Sequence, residues 1–72
     1  MKIYQITESG NAIASNPESN PSVARKVLYF MRRNKGMATD DQLVTFVEPD
    51  SGVLQKVLRE LKNKHLVVTV GR

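Results

Sequence analysis

The chain has 72 residues, 40% of them hydrophobic, and its eleven Lys and Arg against seven Asp and Glu give a formal net charge of +4. That length suits one domain with a thin stability margin, so support from a partner or a second copy of the chain is anticipated. With no cysteine and one histidine, disulfides, thiolate metal sites, zinc fingers and thiol catalysis are excluded, and no metal or other cofactor is expected.

Ile3 to Thr7 is rich in strand formers, and Thr7 offers a capping hydroxyl to a marginal helical segment, Glu8 to Ser15, weakened by Gly10. Asn16 to Pro21 is dense in turn formers and sets residues 1–19, an N-terminal strand and arm, apart from a body at 20–72. Asn20 as N-cap and Pro21 at the first helical position predict a helix from about Pro21 to Lys35, stopped at Gly36. Its Val23, Val27 and Phe30 fall at i, i+4 and i+7, and Ala24, Leu28 and Met31 widen that stripe. Met37-Ala38 reads as a brief extended link. Thr39 and Gln42 then match a capping box, opening a helix from about Asp40 to Val47 that presents Leu43, Phe46 and Val47. Phe30 and Phe46 are both expected in the core. After Glu48 to Gly52 breaks the chain, Asp50 or Ser51 can cap a third helix of about Gly52 to Lys64, which runs into the strand Leu66 to Val70.

Charge follows these elements. Residues 20–36 sum to +5 through Arg25, Lys26, Arg32, Arg33 and Lys35, and residues 37–50 sum to −4 through Asp40, Asp41, Glu48 and Asp50. Residues 51–72 return to +4, with Lys56, Arg59, Lys62, Lys64 and Arg72 against Glu60. A basic balance attracts polyanions, although solvated helix faces give the same pattern. No apolar run approaches the roughly 18 residues of a membrane helix, and the start turns polar too early for a signal peptide, so the expected compartment is the cytoplasm.

On the 52–64 helix, Leu54, Val57, Leu58 and Leu61 fall within one arc, while Gln55, Lys56, Arg59 and Asn63 occupy the opposite one, flanked by Val53 and Lys62. Together with Leu58-x-x-Leu61-x-x-Lys64-His65-Leu66-Val67, this resembles the winged helix-turn-helix superfamily over about residues 20–70. The resemblance implies an α+β fold, mainly helical, with a three-helix core and a small sheet. Two departures stand out: His65 replaces a common glycine at a position that favours left-handed backbone, and only one wing strand follows the helix. The arm, Tyr4 to Ala14, resembles the last wing strand and following helix of many such regulators, displaced to the other end of the chain. Either Lys2 to Thr7 pairs antiparallel with Leu66 to Val70, or the chain belongs to a tandem array.

The resemblance further implies a duplex DNA-binding module, a transcription regulator or an accessory DNA-binding module that lays helix 52–64 in the major groove; because one small module of this charge would bind weakly, a homodimer is an expectation. Its DNA-binding candidates are Ser51, Gln55, Lys56, Arg59, Lys62, Asn63 and Arg72. Arg can grip guanine, Gln and Asn can pair with adenine, and Lys can meet phosphate. Ser51 would present the helix amino end to a phosphate. The same face could equally be solvated, with Lys56 and Glu60 paired at i,i+4. Arg32, Arg33 and Lys35 suit the carboxyl end of a helix through its dipole alone, and Asp40 and Asp41 weigh against DNA nearby. The rival reading is a protein-interaction module within a larger assembly. No serine or threonine accompanies a nearby histidine and acid, no glycine-rich phosphate loop follows a strand, and no small-molecule ligand or membrane contact is indicated. Catalysis is not expected.

Overall fold

The computed structural model describes residues 2–70. In chain order these form β1 (Ile3–Ile6), α1 (Glu8–Ala14), α2 (Val23–Arg33), β2 (Met37–Thr39), α3 (Asp40–Phe46), α4 (Ser51–Asn63) and β3 (Val67–Val70). The class is α+β, with four helices against a three-stranded antiparallel sheet of order β2-β1-β3 among the described residues.

The N-terminal strand is the middle of that sheet. Tyr4 lies opposite Ala38 on one side and Thr69 on the other, while Gln5 faces Met37 and Val68, and Ile6 faces Val67. Because side chains alternate along a strand, this register sends Tyr4, Ile6, Ala38 and Val67 into the core together. A slip of one residue would turn the whole set outward. Antiparallel pairing between the two ends of the chain is therefore present, and the Met37-Ala38 link is in fact a strand, ending at Thr39. Its edge position is fixed by the backbone amide of Asp40, which donates to the Lys2 carbonyl at 3.2 Å.

Behind the sheet, Val27, Leu28 and Met31 of α2, Leu43 of α3 and Leu54, Leu58 and Leu61 of α4 complete one buried cluster, which also takes in Ala14 of α1. α1 forms although glycine weakens helices, because Gly10 lets its backbone lie directly on the turn that joins α4 to β3. Thr7 fastens the contact: its amide donates to the Leu66 carbonyl at 3.0 Å and its hydroxyl donates to the His65 carbonyl at 2.7 Å, while the same oxygen accepts from the Gly10 amide at 3.1 Å.

Helix limits differ modestly from expectation, each for a local reason. α2 is capped by Ser22, whose hydroxyl accepts from the Arg25 amide at 3.3 Å, so Asn20 and Pro21 stay outside the helix. At its other end the backbone turns left-handed already at Lys35 (φ 62°), one residue before Gly36 (φ 83°), and the Gly36 amide closes the turn on the Met31 carbonyl at 2.7 Å. The Thr39–Gln42 capping box is formed in both directions. Phe46 is a correction: it is 68% exposed, with its ring stacked on half-buried Phe30 at 5.7 Å rather than enclosed.

α4 ends in a Schellman turn, with the Leu66 amide on the Leu61 carbonyl at 2.9 Å and the His65 amide on the Lys62 carbonyl at 3.0 Å. His65 takes the left-handed position at φ 60°, where a Cβ costs energy that glycine avoids. His65→Gly is expected to stabilise the chain by about 0.5–1 kcal/mol, the greater freedom of glycine in the unfolded chain offsetting part of the gain. Urea denaturation measures this, and a lower midpoint would mean that the imidazole makes a contribution outweighing the backbone relief.

Candidate nucleic-acid interface

α4 is held by one face only. Leu54, Leu58 and Leu61 are each at most 3% exposed, whereas Gln55, Lys56, Arg59, Lys62 and Asn63 are all exposed to solvent. The apolar residues recur at i, i+4 and i+7, so burying them rotates the amide and basic side chains outward. The helix runs for 13 residues, long enough for three and a half turns to stand on the surface. Ordinary packing thus delivers the five candidates of the helix body to one exposed surface.

The sheet adds a cation that the sequence reading did not include. Lys2, just before β1, lines a shallow depression of about 130 Å³ together with Tyr4, Gln55, Leu58, Arg59 and Lys62. Nothing in the chain's linear order links residue 2 to residues 55–62. The link exists because β1 is the central strand and its start opens beside α4. Lys2, Lys62, Arg59 and Lys56 then form a cationic band from the sheet across the helix.

Ion pairing among the described residues does not consume that band. Among the described residues the one ion pair within 4.0 Å is Arg25 with Glu18, at 3.5 Å. The Lys56–Glu60 pair that a solvated helix face would allow is not made, and both side chains are exposed.

Ser51 is placed less favourably. The N-cap of α4 is Asp50, and its Oδ1 accepts from the amides of Gly52 at 3.0 Å and Val53 at 3.3 Å. A carboxylate on those amides both occupies two donors and puts negative charge where a phosphate would approach, so the helix amino end is self-capped and Ser51 is poorly placed as a phosphate anchor. Arg72 lies outside the described residues.

The acidic start of α3 is split between interior and surface. Asp41 is exposed, whereas Asp40 is half-buried with its Oδ1 enclosed and lacking a hydrogen-bond partner. Asp40 is next to Tyr4. The Tyr4 hydroxyl is pushed up to about 12, first by burial and then by the negative charge of Asp40. Folding thus disfavours the tyrosinate: this contribution is complete below the ordinary value of 10 and is lost as pH rises from there through about 12. Replacing Tyr4 by Phe removes the titration. Across that window the native chain should lose about 1–2 kcal/mol relative to Tyr4→Phe, a figure discounted for solvent at the rim of the depression. Denaturant midpoints of the two chains at successive pH values provide the measurement, and parallel curves would show that Tyr4 does not couple to folding.

No group of three or more His, Cys, Asp or Glu among the described residues could hold a metal ion, and no helix there is long and apolar enough to cross a membrane. No protein-family model, no curated protein and no solved structure matches the chain.

Proposed function

We propose that the chain is a winged-helix module that binds duplex DNA, with α4 in the major groove and Lys2 on the flanking phosphate backbone. The observation carrying this reading is the solvent-facing set Gln55, Lys56, Arg59, Lys62 and Asn63 on a single helix whose other face is buried. A helix presented in this way fits the major groove, and its side chains are of the types that read base edges and neutralise phosphate. In this reading β1 serves as the strand partnering β3, which completes the wing from the opposite end of the chain. Its biological setting would be transcription regulation, with a homodimer spanning two half-sites because one small basic module holds DNA weakly.

If four or five phosphates are neutralised per chain, log affinity should fall with log salt at a slope of about −4. Fluorescence anisotropy with a labelled random duplex over a salt series gives that slope, and backbone amide shifts locate the contact. Binding that ignores salt, or shifts confined to residues away from α4, Lys2 and β3, would remove the proposal. Complete absence of shifts at low salt would favour the rival, a winged-helix module that docks another protein.

A further inference from the structure

A second surface lies on the opposite side of α2 from the helix just described. α2 turns Val27, Leu28 and Met31 inward, leaving Lys26, Tyr29, Phe30 and Arg33 at i, i+3, i+4 and i+7 as a strip along the margin of the core, its two aromatic rings half-buried and its two cations exposed. Two adjoining hollows follow it. One, of about 350 Å³, is lined by Pro21, Lys26, Tyr29, Phe30, Arg33, Phe46 and Val47. The other, of about 300 Å³, has Ala14, Pro17 and Glu18 as further walls and shares Pro21, Tyr29 and Arg33 with the first, adding Arg32. Together they make a groove with an apolar floor, bounded by the exposed edge of Phe46 and by the Asn16–Pro21 linker. The Tyr29 hydroxyl pins that linker by donating to the Asn16 carbonyl at 3.0 Å.

The charges on the groove identify its occupant. Lys26, Arg32 and Arg33 border it and none has an ion-pair partner among the described residues, while its one acid, Glu18, is already engaged by Arg25. A second copy docking by the same face would set these three cations against their counterparts. A neutral apolar segment would leave them unanswered.

We propose that this groove docks an acidic peptide segment of a partner protein, one that alternates carboxylates with leucine or phenylalanine. The apolar side chains insert beside Phe46, Phe30 and Tyr29, and the carboxylates meet Lys26, Arg32 and Arg33. An exposed aromatic flanked by arginine is the composition that dominates protein-protein contacts. Because α2 separates the groove from α4, the peptide leaves the α4 surface free, and this docking does not depend on DNA binding.

The test is an amide-shift titration of the full chain with a short synthetic peptide alternating glutamate with leucine and phenylalanine. Saturable shifts are expected at Lys26, Tyr29, Phe30, Arg33, Phe46 and Val47. A peptide of equal charge with serine at every apolar position should bind about tenfold more weakly or worse. Phe46→Ser and the double variant Lys26→Glu/Arg33→Glu should each weaken binding to the same extent, about tenfold or more. All three substituted side chains lie outside the buried core, so both variants keep the fold, which circular dichroism verifies. The proposal fails if no saturable shifts occur, if Phe46→Ser binds as the native chain does, or if the serine peptide binds equally. It fails also if raising the protein concentration alone moves the same amides, which would make a second copy the occupant. Duplex DNA moving them in place of the peptide would make the groove a polyanion surface and end it likewise.

Discussion

Gly10→Ala is expected to destabilise the chain by about 3 kcal/mol, at the upper end of what overpacking costs. The usual rule runs the other way, since alanine in a helix is favoured over glycine by about 0.5–1 kcal/mol. Here the added methyl group would sit on the carbonyl oxygen of Leu66, well inside van der Waals contact, and 2.7 Å from Cγ1 of Ile6. The Ile6 side chain can rotate, but the carbonyl belongs to the turn between α4 and β3 and also accepts the Thr7 amide. Relief therefore requires α1 to lift from that turn, weakening the Thr7 bonds that tie β1 to β3. For a domain of this size, the loss corresponds to a fall in melting temperature of about 12 °C or more. Thermal unfolding followed by circular dichroism gives the answer directly. Unchanged or raised stability would mean that α1 does not pack on this turn.

The same glycine explains where sequence reading reached its limit. Periodicity and capping chemistry are local, so the apolar stripes of α2 and α4, the Thr39–Gln42 box and the strand after His65 could all be read from neighbouring residues. Gly10 looked like a flaw in a marginal helix because the reason for it lies 56 positions along the chain, at Leu66. From sequence alone β2 is a link for the same reason: three residues become a strand only when β1 is beside them. Phe46 shows a different limit. Helical spacing places it near the stripe of α3, but α3 has only seven residues, and Leu43 alone among them is fully buried, leaving the ring to stack on Phe30 at the edge. The exposed set on α4 was legible because both its faces are written in one short segment. Lys2 was not, since only sheet topology brings it to Arg59 and Lys62.

That topology makes the functional proposal separable from a general attraction between a basic protein and a polyanion. Lys56→Glu/Arg59→Glu is expected to weaken duplex binding at about 0.1 M salt, where the Debye length is about 10 Å, by about 100-fold or more, because two contacts are replaced by repulsion at the centre of the surface. The comparison variant is Arg32→Glu/Arg33→Glu, which alters net charge by the same amount at the far end of α2. If net charge alone drew the chain to DNA, the two variants would lose affinity equally. If α4 enters the groove, the α2 variant should retain binding within about threefold, since charges more than a Debye length from the contact are largely screened. All four side chains are exposed, so neither variant should change unfolding free energy by more than about 0.5 kcal/mol. Lys2→Glu should fall between the pair, losing about tenfold and making the salt slope shallower by about one, as expected for a phosphate contact that carries no base preference. Equal losses in the two double variants would return the cationic band to the status of a solvated helix face.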